Sequence, residues 1–202
     1  MKCKVIAFII LFISMVTVTA SVSAFDNIEF DSLSLEGNCI NDDIQVIKEL
    51  GGAYIKAYFN DMTTTTMVTS PEIRKCIIQY NVTIPRDYRL SSLKFAMDSI
   101  YKFSIGGSAW LSIAHGVGNA APYRSSKLYH YKRDGENGEI NDYNVTIPWN
   151  KLPQEYQGCG ATKIPVKTEL MIVASQFTNA GPTVITLDEA VSRVKLQYCS
   201  DR

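Results

Sequence analysis

The chain has 202 residues, with 20 Lys and Arg residues against 20 Asp and Glu residues, so its formal net charge at pH 7 is zero. This balance provides no excess of positive charge to attract nucleic acid or an anionic membrane surface, so neither is a predicted partner. A chain of this length can bury a full hydrophobic core as one domain.

The first 24 residues follow the pattern of a secretory signal peptide. Lys2 and Lys4 precede an apolar run at residues 5–13, and small residues end the stretch at Ala24. The run is shorter than the ~20 apolar residues that a membrane-spanning helix needs. We predict cleavage after Ala24, with Ala20 as the second choice. Residues 25–202 would then be secreted as a single extracellular domain, and removal of the two lysines leaves 18 basic against 20 acidic residues, a net charge of −2.

Alternating apolar and polar residues, which are typical of half-buried β-strands, begin soon after this segment. Residues 25–37 predict an edge strand, and residues 44–50 suit a helix or a strand. Gly51-Gly52 is a turn signal that favours a hairpin into residues 53–60. The four threonines at 63–66 predict an exposed strand or loop, because they are β-branched and polar.

The clearest strand runs from Cys76 to Pro85, where alternate apolar residues would share one buried face. Pro85 ends the strand because proline has no backbone N–H to donate. The last six residues, Tyr80 to Pro85, recur letter for letter at Tyr143 to Pro148, which indicates a second strand of the same kind.

Period-two segments continue to the end of the chain, at residues 93–105, 109–115, 128–131, 140–147, 167–175 and 194–199. The stretch 134–139 contains Asp-Gly and Asn-Gly pairs and predicts a hairpin turn. Residues 188–193 suit a helical turn, and no long amphipathic helix is predicted. Short strands with closely spaced turn signals predict an all-β sandwich or barrel. We favour an antiparallel β-sandwich of jelly-roll-like type.

Four cysteines remain after the predicted cleavage: Cys39, Cys76, Cys159 and Cys199. An even number in an oxidising compartment favours two disulfides, for which 3 connectivities exist. We favour Cys39–Cys76 and Cys159–Cys199, because each pair brackets a compact segment of neighbouring strands. No two of them form a Cys-x-x-Cys pair, so we predict no zinc site.

The cysteine contexts also carry a family resemblance. They are Gly37-Asn38-Cys39, Arg74-Lys75-Cys76 before the strand ending at Pro85, the apolar stretch 105–116, Cys159-Gly160, and Cys199 near the C-terminus. This set resembles a family of secreted four-cysteine proteins classed as a domain of unknown function (family 4360). The resemblance implies secretion, disulfides and a β fold, and it implies no catalytic residue.

Two N-glycosylation sequons occur, at Asn81-Val82-Thr83 and at Asn144-Val145-Thr146. On the predicted strands each asparagine shares the outward face with its threonine. A secreted chain from a glycosylating host would carry a glycan at Asn81, at Asn144 or at both.

Catalytic motifs are weak. His115 shares a face with Leu111 and Ile113, which favours a hydrogen-bonded residue at the core edge over a catalytic base. His130 alternates with tyrosines, as on a surface strand. There is no Gly-x-Ser-x-Gly elbow, and nothing selects one pair of carboxylates for glycoside hydrolysis. The acidic stretches 41–43 and 134–139 lack the spacing of a calcium loop. We predict no catalytic residue, no metal and no cofactor.

Tyrosines are the most suggestive residues for binding. The chain has 11, and Tyr54, Tyr58, Tyr129 and Tyr131 fall on the polar faces of predicted strands. Exposed tyrosines suit stacking on sugars or packing against a protein, although the same rings also suit packing between two sheets. We therefore predict an extracellular binding or surface-interaction protein with a carbohydrate or protein ligand. A small secreted hydrolase such as a glycosidase is the alternative, and a structural wall or coat component is a third; the oligomeric state stays open.

Overall fold

The computed structural model describes residues 28–40, 42–49, 52–60, 62–66, 70–130, 136–160, 163–178 and 181–199. These ranges contain eleven strands: β1 (Glu29–Gly37), β2 (Asp43–Glu49), β3 (Gly52–Tyr58), β4 (Thr63–Thr66), β5 (Glu72–Thr83), β6 (Tyr88–Phe103), β7 (Gly107–Val117), β8 (Tyr123–His130), β9 (Glu136–Pro148), β10 (Lys163–Gln176) and β11 (Thr183–Tyr198). Two short 3-10 turns lie between β9 and β10, at Trp149–Lys151 and Gln154–Tyr156. The predicted signal peptide, residues 1–24, lies outside the described residues.

The strands form two antiparallel sheets that pack face to face. Sheet 1 has the order β1-β5-β10-β7-β8, and sheet 2 has the order β2-β3-β11-β6-β9, with β4 paired to the start of β11. When β3 and β5 to β11 are numbered one to eight, the orders become 2-7-4-5 and 1-8-3-6, the arrangement of a jelly roll. The predicted antiparallel jelly-roll sandwich is therefore confirmed. No helix in the described ranges is long and apolar enough to span a membrane.

The core lies between the sheets because alternate residues of each strand point inward. On β5 the inward side chains of Cys76, Ile78, Tyr80 and Val82 are all at most 3% exposed. Leu93, Phe95 and Met97 are buried in the same way from β6 in the facing sheet. The predicted buried face of the central strand is thus the observed one.

A β-bulge explains why residues 188–193 suit a helical turn in the sequence but form a strand in the structure. Residues 188–193 belong to the continuous strand β11, and its pairing register with β6 shifts between Leu187 and Glu189. A bulge inserts one unpaired residue, so the buried positions change from odd to even numbers at that point. Leu187 and Ala190 are therefore both buried although they lie three residues apart, the spacing of a helix face.

The threonine stretch is also more buried than predicted. Thr64 and Thr66 are 0% and 5% exposed, because β4 lies along β11 at the end of sheet 2. Their hydroxyl groups donate to the backbone carbonyls of Glu72 and Ser70, at 3.0 Å each. These hydrogen bonds remove the cost of burying a hydroxyl, which is why polar residues occupy core positions here.

The two predicted hairpins have different outcomes. β2 and β3 pair directly, with Glu49 opposite Gly52, so the Gly51-Gly52 hairpin is confirmed. β8 and β9 belong to different sheets and do not form the predicted hairpin. β9 begins at Glu136, and Asn137 and Gly138 are paired with Lys102 and Tyr101 of β6, so the Asn-Gly pair is part of a strand and not of a turn. Asp134 and Gly135 lie outside the described residues.

Both predicted disulfides are present. Cys39–Cys76 joins the turn after β1 to the middle of β5, with the Cα atoms 5.4 Å apart. Cys159–Cys199 joins the loop before β10 to the end of β11, with a Cα separation of 6.2 Å. Each closes a loop of about 40 residues, which stabilises the fold by roughly 3–4 kcal/mol in the chain-entropy model.

The two copies of the hexapeptide occupy different environments. Tyr80 lies in a strand with partners on both sides, and its hydroxyl is hydrogen-bonded to Ser192 of the facing sheet at 2.5 Å. Burial raises the pKa of this phenol well above its usual range. Tyr143 lies on the edge strand β9 and donates to Ser125 at 2.9 Å. The same six residues thus form a core contact between the sheets in one copy and a half-buried edge contact in the other.

Tyr80→Phe should lower the free energy of unfolding by about 1–3 kcal/mol, because it leaves the buried Ser192 hydroxyl without a partner. Tyr143→Phe is the matched control and should cost less than ~1 kcal/mol, since water can replace a partner at the half-buried site. Urea denaturation of both variants measures the difference. Equal losses would contradict the distinction between the two copies.

Candidate functional site

The outer face of sheet 2 carries three rows of side chains that follow the pairing register across the strands. Residues opposite one another in neighbouring strands lie on the same face, so each register line is a row. From β3 through β11 and β6 towards β9, the rows are Tyr54–Arg193–Lys94–Thr146, Lys56–Val191–Ala96–Asn144 and Tyr58–Glu189–Asp98. The bulge between β6 and β9 places Asp142 beside the third row, and its backbone N–H donates to Asp98 Oδ1 at 2.7 Å.

These rows form an open groove across the strands, which we call the cross-strand groove. Val191 and Ala96 in the middle row are small and make its floor, while longer side chains of the first and third rows make its walls. Rows on one face are two residues apart, so the backbones beneath the two walls are separated by about 13–14 Å. A depression of about 400 Å³ within the groove is lined by residues of β6, β9 and β11, and Tyr54, Lys56 and Tyr58 of β3 lie beside it and not in its lining.

Ion pairs hold the wall side chains in place. Lys56 Nζ lies 2.6 Å from Glu189 Oε2 and 4.8 Å from the centre of the Tyr58 ring. The hydrogen bond to Glu189 and then that to Tyr58 raise the pKa of Lys56, so the amine stays charged. Lys94 Nζ contacts both carboxylate oxygens of Asp142, at 2.7 and 2.9 Å.

The groove combines charges of both signs in equal number. Its cations are Lys56, Lys94 and Arg193, and its carboxylates are Asp98, Asp142 and Glu189. The Arg193 guanidinium lies 5.6 Å from the centre of the Tyr54 ring, a cation–π distance. The groove therefore presents donors, acceptors and aromatic rings without a net charge.

The four predicted binding tyrosines do not form one site. Tyr54 and Tyr58 lie at one end of the cross-strand groove, on the same face of β3. Tyr129 lies on β8 in sheet 1, half-buried against the core, with its ring 6.2 Å from that of Tyr101. Tyr131 lies outside the described residues. The sequence reasoning missed the groove's charged and small residues, because their common signal is strand pairing and not local pattern.

His115 is a core residue. It is 0% exposed, its Nδ1 lies 2.8 Å from Thr168 Oγ1, and its ring lies 5.7 Å from that of Phe95. Burial lowers its pKa to about 4, so the ring is neutral at physiological pH. This agrees with the predicted hydrogen-bonded core histidine, and His130 is exposed on β8 as predicted. In the ranges that the structure describes, no group of three or more His, Cys, Asp or Glu side chains is placed to hold a metal ion.

The two sequon asparagines differ in their surroundings. Both share the outward face with their threonines, as predicted. Asn81 is half-buried between β1 and β10, and its Nδ2 donates to Asp31 Oδ1 at 2.8 Å. That bond is the main reason why the pKa of Asp31 is lowered to about 2. Asn144 is exposed on the edge strand β9 and donates to the Asp142 carbonyl at 2.7 Å.

Neither a family model nor a curated protein matches the chain, so the resemblance to the four-cysteine family stays a prediction. Among solved structures, the chain is similar to the enzymatically active domain of tailspike protein 4 of bacteriophage CBA120, with 11% identity and a TM-score of 0.28. That match covers 83% of this chain and 20% of the tailspike chain.

Two carbohydrate-binding modules are similar at the same level. TmCBM61, solved with β-1,4-galactotriose, has 11% identity and a TM-score of 0.24 over 87% of this chain and 94% of its own. The family 11 module of the Clostridium thermocellum cellulase Lic26A-Cel5E has 13% identity and a TM-score of 0.20 over 90% and 95%. At these TM-scores the similarities carry no argument about function.

The free energy of unfolding should fall as the pH is lowered from about 6.5 to 4. In this window the unfolded chain protonates His115 and the folded chain does not, so the unfolded state binds more protons and gains stability. The loss should reach about 3 kcal/mol at pH 4 and then level off. His115→Asn should be less stable at neutral pH but should lack this component. Urea denaturation of the wild type and of His115→Asn from pH 7 to 4 measures this loss of stability. Identical pH profiles for the two proteins would contradict its assignment to His115.

Expression through a eukaryotic secretory pathway should place an N-glycan on Asn144 in preference to Asn81. Both side-chain amides donate a hydrogen bond to an aspartate, but Asn81 is half-buried between two strands, whereas Asn144 is exposed on an edge strand. Mass spectrometry of Asn81→Gln and Asn144→Gln proteins measures occupancy. We expect the Asn144→Gln protein to be largely unglycosylated, and high occupancy of Asn81 would contradict the prediction.

Proposed function

We propose that this protein is an extracellular carbohydrate-binding protein that holds a segment of a neutral saccharide in the cross-strand groove. The observation that carries the proposal is the row arrangement: a small-residue floor of Val191 and Ala96 between two walls that begin with Tyr54 and Tyr58. Aromatic rings beside a polar groove suit the apolar faces of sugar rings.

Charge balance favours a neutral polyhydroxyl ligand over an ionic one. The three rows together with Asp142 contain three cations and three carboxylates, so neither a polyanion nor a polycation is attracted by a net field. A sugar hydroxyl both donates and accepts hydrogen bonds, and it can therefore use lysine and arginine donors together with carboxylate acceptors. Ion pairs such as Lys56–Glu189 hold these groups in place before the ligand arrives, which lowers the ordering cost of binding.

The proposed activity is binding without turnover. Glycoside hydrolysis uses a pair of carboxyl groups of which one must be protonated to act as the general acid. Glu189 and Asp142 are each ion-paired with a lysine, at 2.6 and 2.7 Å, so their oxygens are already engaged by cations. Two disulfides on a chain with a predicted signal peptide support the extracellular location.

The purified mature protein should bind at least one member of a panel of neutral oligosaccharides, and it should return that ligand at its original length. Tyr54→Ala and Tyr58→Ala should each weaken binding about tenfold, equivalent to ~1.4 kcal/mol, through lost ring stacking. Isothermal titration calorimetry measures the affinity, and chromatography of the recovered ligand measures its length.

Tyr198→Ala is the matched control, since this tyrosine lies on β11 in the same sheet but beyond the groove and is 62% exposed. The affinity of the Tyr198→Ala protein for the oligosaccharide should equal that of the wild type. The proposal would be refuted if no oligosaccharide of the panel binds. Recovery of a shortened ligand would instead support the alternative that the protein is a hydrolase.

A further inference from the structure

The outer face of sheet 1 carries an apolar row that the groove does not use. Ile73, Val173, Trp110 and Leu128 are successive partners in the register across β5, β10, β7 and β8. Their side chains therefore lie side by side on one face. Ile73 is 57% exposed and Leu128 is 52% exposed, so the row ends in solvent on both sides. We call this set the Trp110 row.

The middle of the row is a continuous apolar surface. Val173 points outward yet is only 9% exposed, and its two neighbours in the row are Ile73 and Trp110. Trp110 is 37% exposed, so much of its indole lies against neighbouring side chains instead of standing free. Three strand spacings give the row a length of about 14 Å.

Short hydroxyl side chains flank the row on both sides. Ser112 and Ser126 form one neighbouring register line with Met171, and Ser175 and Ser108 form the other with His130. On β10, β7 and β8 these three lines contain no Asp, Glu, Lys or Arg, but on β5 Lys75 continues the Met171 line and is ion-paired with Glu169 at 2.9 Å. Serines are the commonest flanking residues and are too short to build walls, so this face is flatter than the cross-strand groove.

We propose that the Trp110 row is a second carbohydrate-binding face, and that its ligand is the surface of an insoluble neutral polysaccharide. A pyranose ring exposes C–H groups on its faces and hydroxyls at its rim. An apolar strip bordered by serine hydroxyls matches that distribution, since the strip takes the C–H faces and the serines can donate to or accept from the rim. Because the one lysine in these lines, Lys75, is ion-paired with Glu169, the flanks fit a neutral surface better than a charged protein or a phospholipid headgroup.

This face lies on the sheet opposite to the groove, so the inference does not depend on the groove binding a saccharide. The two faces differ in the form of ligand that they admit. A recessed groove takes a single chain, whereas a flat row takes many chains presented side by side. The test therefore separates soluble from insoluble ligands.

The experiment is a pull-down of the mature protein with washed insoluble polysaccharides, namely cellulose, chitin, β-1,3-glucan and mannan, read as a depletion isotherm. We expect the wild type to partition onto at least one solid. Trp110→Ala should lower the partition constant at least tenfold, and Trp110→Phe should recover part of the loss because it keeps an aromatic ring. Leu128→Ser changes the exposed end of the row and should leave the fold undisturbed, so a loss of solid binding by this independent variant would not be due to misfolding.

The groove variant Tyr54→Ala/Tyr58→Ala is the control and should bind the solid as the wild type does. Failure of the wild type to bind any solid would overturn the inference, as would equal binding by the wild type and Trp110→Ala. Loss of solid binding only in the groove variant would assign that binding to the groove and would also overturn it. Concentration-dependent dimerisation of the wild type that Trp110→Ala abolishes, seen by analytical ultracentrifugation, would show that a second copy covers this face instead.

Discussion

The two sheets bury one face of each other's long strands, and this shared apolar layer determines where the polar groups of the protein lie. Large side chains such as Phe95, Leu111 and Ile113 are at most 1% exposed. Each contributes about 1.5–3 kcal/mol by leaving water, so a strand that turned its other face inward would lose several such contributions at once. The pairing register is therefore strongly specified, and the register in turn fixes every row on the two outer faces.

Several of the polar groups in this layer have a partner there, although Ser99 Oγ and His115 Nε2 are buried without a hydrogen bond. Tyr80 and Ser192 join the two sheets by a buried hydrogen bond, and His115 is held by Thr168. Such contacts add little net stability when they are made, but each costs its full desolvation energy when a partner is lost. They favour one alignment of the two sheets over others that would leave these groups unpaired.

The two outer faces have opposite chemical characters although they belong to the same sandwich. Sheet 2 presents a recessed groove with balanced charges, walled by residues such as Arg193 and Glu189. Sheet 1 presents a flat apolar row centred on Trp110. In the two proposals, the groove would hold a single saccharide chain and the row would hold a polysaccharide surface. Neither face enters the core, so both are free to carry binding residues at little cost to stability.

The sequence by itself indicated most of the strands, the inward face of the central strand β5 and a preferred pairing of the four cysteines, because period-two alternation and the position of the cysteines beside neighbouring strands are local signals. It also identified Tyr54 and Tyr58 as outward-facing tyrosines. Only the tertiary structure decided that Tyr54 would lie beside Arg193 and Lys94, since these residues are far apart in the chain and meet through strand pairing. It likewise decided the shift at Leu187, where one inserted residue reversed the faces of β11 and imitated a helical turn. Strand pairing depends on how well whole sheets bury their apolar faces together, so it cannot be predicted from any short stretch of sequence.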